Sequence, residues 1–545
     1  MTVASKLVAR WAKLPPARSH AVSVERDLRT PMPDSAVLLA DRWYPTTGDR
    51  PPVVILRSPY GRHQLGLVGR LLAERGYCAF IQSTRGSFGS AGGWEPFRNE
   101  QTDGHATHAW VAEQPWFGGT SATYGPSYLG LTQWAVAGDP PEHLRAMALS
   151  ITASSFRDAA TYPGGSFSLE TGATWIDLIE SQERALPRIA WAHARAERRL
   201  RRVYTTLPLS RADSVSVGRS LSFYQDWLVH EQPGDPWWDP VDFGGDLSRV
   251  PPASLVGGWY DVFLPAQIAD FVALRAAGRH ARLTVGPWTH TSLAGTGAQL
   301  RDGIEWFDEH LLGRRPARPH PGVRLFVQGS ERWVDLDTWP PPATTERWHL
   351  HAGGRLERSE PAASAPDRFR YDPADPTPGV GGPSLNWRTS GPRNQARREQ
   401  RPDVVSYTSD ALTGDVTIAG PLNAEIWFRS SAPSTDVFVR LCDVDDDGVS
   451  INISDGIVRT HPDDGERADD DGTIRVRVAM WPTATTFAAG HRFRLQVSSG
   501  AHPLFARNPG SDERLGSATT VIVADQAVLH DPDHPSAIEL PVSRV

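Results

Sequence analysis

From Val53 onward the chain alternates short apolar runs with segments whose apolar residues recur at helical spacing, and few folds accommodate that rhythm. Val53-Val54-Ile55-Leu56 reads as a buried strand. Gln64 to Arg75 carries Leu67, Leu71 and Leu72 at helical spacing, Gly76 suits a helix C-terminal cap, and Tyr77 to Ile81 reads as the next strand. The pattern continues through a helix from about Gln101 to Glu113, a run ending at Tyr124, a turn at Gly125-Pro126-Ser127, a helix-like Tyr128 to Ala137 and a strand from Leu144 to Ile151. Alternating strands and helices of this kind build a largely parallel sheet, so the class is α/β.

The rhythm then stops for about 95 residues before resuming as a strand from Ala253 to Trp259, a helix from Pro265 to Ala277, a strand from Ala281 to Val285 and a helix over about Arg301 to Leu312. The interruption, rich in Ala, Arg, Glu and Trp and containing AWAHARAERRLRRVY, predicts amphipathic helices with a basic solvent face, an inserted helical cap. Beyond Arg314 the segments VRLFVQG, DVTIAGPLNAEIWF, VFVRL, IRVRVAMW, HRFRLQVSS and TTVIVA are separated by Pro, Gly and Asp turns. Leu422, Ala424, Ile426 and Phe428 alternate with polar or amphipathic neighbours, as do Phe493, Leu495 and Val497, which predicts half-buried strands of a sandwich. Glu357 to Asp367 and His461 to Gly472 read as polar loops. The expected division is an α/β domain in two pieces, 1–151 and 248–314, a cap over 152–247, and an all-β, jelly-roll-like sandwich over 315–545. A chain of 545 residues has room for about three such units.

Charge and cysteine content remove several function classes. The net charge of −7 supplies no basic field for a phosphate backbone or an anionic membrane, so neither nucleic acid nor membrane is an expected partner. Cys78 and Cys442 are the two cysteines, far apart in sequence, so no disulfide framework is expected and a reducing compartment fits. The N-terminal MTVASKLVARWAKLPPARSH lacks an uninterrupted apolar h-region, and no stretch reaches about 18 apolar residues, which reads as cytoplasmic. Oligomeric state has no signal in the sequence.

The chemistry begins at Gly125-Pro126-Ser127-Tyr128-Leu129-Gly130, a serine flanked by glycines with the spacing G-x-S-x-x-G, one residue longer at its end than the usual lipase elbow. At a tight strand-to-helix turn a serine is held in strained backbone geometry that exposes its Oγ; the plainer reading is an ordinary Gly/Pro turn. A nucleophilic serine on an α/β-hydrolase sheet needs an Asp or Glu and then a His later in the chain, each after a strand. Asp261, after ASLVGGW, and His290, after RLTV, satisfy type and order.

The phrases GPSYLGLTQWAVAG, GGWYDVF and GPWTH resemble the catalytic segments of the cocaine esterase / X-Pro dipeptidyl-peptidase (CocE/NonD) family of serine hydrolases. The likeness extends to RSPYGR, FRYDPADPTP, SDGIVR, GHRFRLQVSS and DPDHPS. It implies Ser127 as nucleophile, Asp261 as acid and His290 as base, with the Tyr60 hydroxyl and the Tyr128 amide N–H forming the oxyanion hole. Two departures stand out. Gln82-Ser83-Thr84-Arg85-Gly86 places a hydroxyl where the family often has a carboxylate, and Val262, Phe263 and Leu264 follow the acid where the amino-acid-ester branch carries acidic residues. An α-amino substrate is therefore disfavoured, and Phe263 becomes a candidate pocket residue.

Phe167 and Trp175, within the interruption, either line an acyl pocket or pack helices together. Asp443, Asp445, Asp447 and Gly448 mimic half of a calcium loop, but position twelve is Ser454, and a hairpin turn is expected instead. His105 and His108 share a helical face near Asp103 without a fourth ligand, so no metal is expected. The resulting expectation is a cofactor-free serine hydrolase acting on a small-molecule ester or amide. A peptidase or acyltransferase would use the same triad, and a non-catalytic ligand-binding protein on a degenerate scaffold is the reading of another class.

Overall fold

The computed structural model describes residues 1–46, 50–183, 186–314, 319–460, 466–467 and 471–545, with the backbone alone for 186–195 and 466–467. Most of the polar loop expected at 461–472, and side chains on part of the basic helical face, therefore lie outside the described residues.

One sheet is built from β1 (Val22–Pro31), β2 (Val37–Pro45), β3 (Val53–Ser58), β4 (Cys78–Ser83), β5 (Ser121–Pro126), β6 (Leu144–Ser150), β7 (Ala253–Tyr260), β8 (Ala281–Thr289), β9 (Val323–Val327) and β10 (Arg332–Leu336). Its strand order is β1-β2-β4-β3-β5-β6-β7-β8-β9-β10. Neighbours from β4 to β9 are parallel, and antiparallel strands border them on both sides. The helices are α1 (Val3–Trp11), α2 (Gly66–Ala73), α3 (Glu100–Ala112), α4 (Tyr128–Trp134), α5 (Leu169–Ser181), α6 (Leu186–Thr205), α7 (Ala212–Val217), α8 (Ser222–Val229), α9 (Leu264–Ala276) and α10 (Leu293–His310).

Helices cover both faces of β3 to β8, which explains why those strands are buried over almost their whole length and do not alternate. Leu71 and Leu72 of α2 and Leu300, Ile304 and Phe307 of α10 pack on Val54, Leu56, Ala146 and Ala148. On the opposite face Trp134 and Ile268, Phe271 and Leu274 of α9 meet Met147, Leu149, Leu255 and Leu283. α10 starts at Leu293, ahead of the expected Arg301, because the Ser292 hydroxyl accepts the Gly295 N–H at 3.3 Å and caps it.

Two parts of this sheet differ from the sequence reading. The antiparallel pair β1–β2 was not anticipated, since Val22 to Pro31 mixes charged and apolar residues without a clean period. The segment VRLFVQG, assigned to the C-terminal β region, instead supplies β9, which pairs in parallel with β8 through Leu283–Val323, Thr284–Arg324 and Val285–Leu325. This corrects the division at residue 314: the sheet runs on to Leu336. Alternation reveals that Val323, Leu325 and Val327 face a core, but it says nothing about which core.

The C-terminal region is all β, a twelve-stranded sheet. Val416–Ser430 pairs with both Ile474–Phe487 and Ala537–Ser543, so the strand order closes on itself in a barrel-like sheet around Leu350, Tyr407, Leu422, Ile426, Phe428, Leu495 and Leu540. The suspected calcium loop is the hairpin turn after Val444, where Asp445 Oδ1 accepts the Asp447 and Val449 N–H groups. Trp259 and Tyr260 at the end of β7 share a core with Trp481, Ile457, Leu504 and Phe505, so the two sheets are fused through apolar contact. Helices α5–α8 and the irregular chain around them form a further core over the carboxyl ends of the strands, joining Phe156, Tyr162, Phe167, Tyr224 and Trp227 to Phe97, Tyr128 and Leu131. Among the described residues no helix is long and apolar enough to cross a membrane.

Candidate active site

The candidate residues converge at the carboxyl ends of β3, β5, β7 and β8, where ligands bind in open α/β sheets. Tyr60 follows β3, Ser127 follows β5, Asp261 follows β7, and His290 follows β8.

Ser127 lies at φ 57°, ψ −123°, a backbone region costly for a residue with a Cβ. The turn is closed by its own N–H donating to Ser150 O at 3.0 Å and by its carbonyl accepting the Gly130 N–H at 2.8 Å. Its flanking glycines are steric requirements. A Cβ on Gly125 would lie 2.3 Å from the Leu129 Cβ, and one on Gly130 would lie 2.3 Å from the Thr152 Cγ2. The turn leaves Ser127 half-buried with its Oγ 3.1 Å from His290 Nε2. On the other side of the ring, His290 Nδ1 meets Asp261 Oδ2 at 2.7 Å. Asp261 is fully buried, and its second oxygen accepts the Phe263 N–H at 2.8 Å. The C-terminal region reaches this loop: Trp481 Nε1 donates to the Asp261 carbonyl at 3.2 Å.

Tyr128 is the first residue of α4, so its N–H is one of those without an intrahelical partner, beside Ser127. Its ring is fixed from behind. The hydroxyl donates to Glu100 Oε1 at 2.8 Å and accepts the Phe97 N–H at 3.0 Å. Glu100 in turn pairs with Arg57 at 2.9 Å, both side chains about 95% or more buried. Burial pushes the Glu100 carboxyl above its usual range, while Arg57 opposes that rise. The Tyr60 hydroxyl accepts Trp175 Nε1–H at 3.2 Å and lies near Ser127, and burial raises its phenol pKa.

A narrow, largely apolar cavity opens from Ser127. Phe167, Trp175 and Phe263 all line it, together with Phe97, Phe156, Trp227 and Leu385. The last four were missed from sequence, because they come from three segments separated by the sheet strands. Phe97 stacks on Tyr128 with ring centroids 4.4 Å apart, so the wall and the Ser127 turn are one packed unit. Among the described residues that line the cavity there is no carboxylate, amine or imidazole.

The departures from the family pattern have structural answers. Ser83 Oγ accepts from the Arg62 N–H and from Arg62 Nη1, and the carboxylates facing Arg62 come from Asp41 and Asp27. His105 and His108 do not join the site: His108 is buried against the ring of His143, and Asp103 is paired with Arg85. Asp270 of α9 accepts Ser154 N–H at 2.8 Å and Ser154 Oγ–H at 2.6 Å, tying the chain after β6 to the sheet domain.

Comparison with known proteins finds relatives along nearly the whole chain. Residues 34–292 match the model for the X-Pro dipeptidyl-peptidase (S15 family), and residues 317–539 match that for the X-Pro dipeptidyl-peptidase C-terminal non-catalytic domain. A cocaine esterase from Rhodococcus sp. (strain MB1 Bresler) is 32% identical over 95% of this chain and 98% of its own. Among solved structures, an aminopeptidase from a marine sediment Thaumarchaeota archaeon aligns with TM-score 0.82 at 22% identity, covering 97% of each chain. An α-amino acid ester hydrolase aligns with TM-score 0.81 at 20% identity, covering 97% of this chain and 98% of that one. At these identities the two structures speak for the fold alone.

Proposed function

The chain belongs to the cocaine esterase / X-Pro dipeptidyl-peptidase (S15) family of serine hydrolases, and on that premise we propose that Ser127, His290 and Asp261 are its catalytic triad and that it cleaves small-molecule acyl esters. The observation that carries this reading is the continuous chain of contacts from Ser127 Oγ through His290 to Asp261, 3.1 and 2.7 Å long, opening into an apolar cavity.

In the first half-reaction His290 Nε2 takes the Ser127 proton as Oγ bonds to the ester carbonyl carbon. The negative charge that develops on the carbonyl oxygen is held by the Tyr60 hydroxyl and the Tyr128 N–H. Collapse expels the alcohol, which leaves with the proton carried by His290. Water then repeats the sequence on the acyl-enzyme and frees the acid. Asp261 keeps the imidazole in the tautomer with its proton on Nδ1 and stabilises the imidazolium form. The chemistry needs no cofactor.

The cavity lining favours an ester with an apolar acyl group over an X-Pro dipeptide, because the free ammonium of a dipeptide would find no carboxylate among the lining residues. The alternatives separate on two assays. A fluorophosphonate probe should label the wild-type protein and not Ser127→Ala; equal labelling of both would reject Ser127 as nucleophile, and absence of labelling would favour the binding-protein reading. A substrate panel should show ester turnover well above X-Pro amide turnover, and the reverse ranking would make the protein a peptidase.

Helices α5–α8 are read as the cap of the site, supported by their shared core with Phe97 and Tyr128. The C-terminal domain is read as a jelly-roll-like sandwich. In support, its strand order has weak joints where a single residue pair links neighbours, Arg355 with Thr408 and Gly456 with Met480, as expected where two layers meet at their edges. The two buried thiols, Cys78 and Cys442, fit a reducing compartment such as the cytoplasm.

A further inference from the structure

The Tyr60 hydroxyl has one proton to give and must aim it at the substrate oxygen to act in the oxyanion hole. What decides where that proton points is the partner on its lone pair. An indole N–H is a donor only, with no acceptor atom to offer and no alternative tautomer. Trp175 Nε1 lies 3.2 Å from the Tyr60 oxygen, so the phenol is the acceptor in this contact and its own O–H is left to donate elsewhere. Ser127, beside whose Oγ the substrate carbonyl would sit, lies near that hydroxyl.

We propose that Trp175 of α5 is a positioning residue for catalysis: its indole N–H occupies the Tyr60 lone pair and so directs the Tyr60 proton into the oxyanion hole, giving the helices above the site a hand in the chemistry. The inference rests on the assignment of Tyr60 as an oxyanion donor.

Several further contacts make the arrangement rigid. The Trp175 ring stacks on Tyr128, the residue whose N–H is the second donor, at an interplanar angle of 9° and a centroid separation of 6.4 Å. Tyr60 and Tyr128 meet edge to face at 6.4 Å. Near the C-terminal end of the same helix, Gln182 Nε2 donates to the Pro59 carbonyl at 2.8 Å, so the segment holding Trp175 also grips the backbone next to Tyr60. One helix thus touches both proposed oxyanion donors, and its contact with one of them fixes a proton and not merely a ring. The contact should also strengthen donation, since a hydroxyl that accepts a hydrogen bond donates a stronger one.

The test is a three-by-two set of full-length variants. Position 175 carries Trp or the isosteric 3-benzothienylalanine, which replaces the indole N–H by sulfur and keeps the bicyclic shape, with Trp175→Phe as a second replacement. Position 60 carries Tyr or Phe. With Tyr60 present, loss of the N–H is expected to lower kcat about tenfold, the scale of one hydrogen bond, with KM changed less than about threefold. In the Tyr60→Phe background, where no phenol remains to be aimed, the same replacement is expected to change kcat by less than about twofold. A tenfold fall in both backgrounds would assign Trp175 to packing and overturn the proposal, as would an unchanged kcat beside a slow Tyr60→Phe. A Tyr60→Phe enzyme of normal rate would overturn the oxyanion assignment itself, and this inference with it. Melting temperatures of all variants should agree within a few degrees; a 3-benzothienylalanine enzyme that is slow only because it is unfolded would show as a lower melting point and a proportionate loss in both backgrounds.

Discussion

Asp270 offers a stability experiment whose sign and size follow from the structure. Its carboxyl is buried on α9, bonded to Ser154 N–H and Oγ, and lies near the charge of Asp242. Burial is the largest cause of a pKa raised from 3.8 to about 7, with the Ser154 bonds opposing the rise and Asp242 adding to it. Below about pH 4 the group is neutral in both folded and unfolded chains and contributes no pH dependence. Between about 4 and 7 the unfolded chain ionises while the folded one stays protonated, so the folded state loses about 1.4 kcal/mol per pH unit. Above about 7 the whole cost, about 4 kcal/mol for a shift of this size, is present. Asp270→Asn keeps the shape, accepts the Ser154 N–H through its oxygen, donates to Ser154 Oγ through its nitrogen, and never ionises. Its melting temperature is expected to match that of the wild type near pH 4 and to rise above it by several degrees at pH 8. A melting difference that is constant between pH 4 and 8, or a variant that becomes the less stable one as pH rises, would refute the buried-charge argument.

Three other outcomes are expected. Ser127→Ala and His290→Ala each abolish ester turnover, and the double variant is no worse than either alone because the groups act as a unit; multiplicative losses would contradict the triad. Tyr60→Phe lowers kcat by about 10²–10³ with KM little changed, read by steady-state kinetics, and a rate near wild type would require other oxyanion donors. Glu100→Gln leaves the buried Arg57 without its countercharge, so it should destabilise the fold by about 3–5 kcal/mol in denaturant unfolding, with loss of activity following loss of structure.

The relation between sequence and site is uneven for physical reasons. Ser127, Asp261 and His290 are legible because each lies just past a strand in a fold whose chain order is fixed, and order survives in a linear text. Elements of strong period are legible too: α9 and the strands β3, β6 and β7 fall close to where apolar spacing puts them. The pair β1–β2 is not, because its strands alternate imperfectly and one lies at a sheet edge. β9 shows the complementary limit, a strand recognised as a strand and assigned to the wrong sheet, since a two-residue period encodes a face and not a partner. The cavity wall is the least legible part. Phe97, Phe156, Trp227 and Leu385 meet only after folding, and each taken alone is an ordinary core residue. Glu100 was overlooked for another reason: a glutamate at a helix start reads as solvent-facing, and its burial depends on Arg57, 43 positions earlier.

The bond from Trp481 to the Asp261 carbonyl bears on how such a chain can be inherited and re-engineered. The strand that carries Trp481 belongs to the C-terminal domain, yet it braces the loop that holds Asp261, the acid of the proposed triad, and the apolar surface of Trp259 and Tyr260 is covered from the same side. The two domains are therefore a single heritable unit: a chimaera that exchanges the all-β half between relatives transplants part of the acid's support along with it, and a minimal enzyme pared down to the parallel sheet would need a redesigned surface where that support had been.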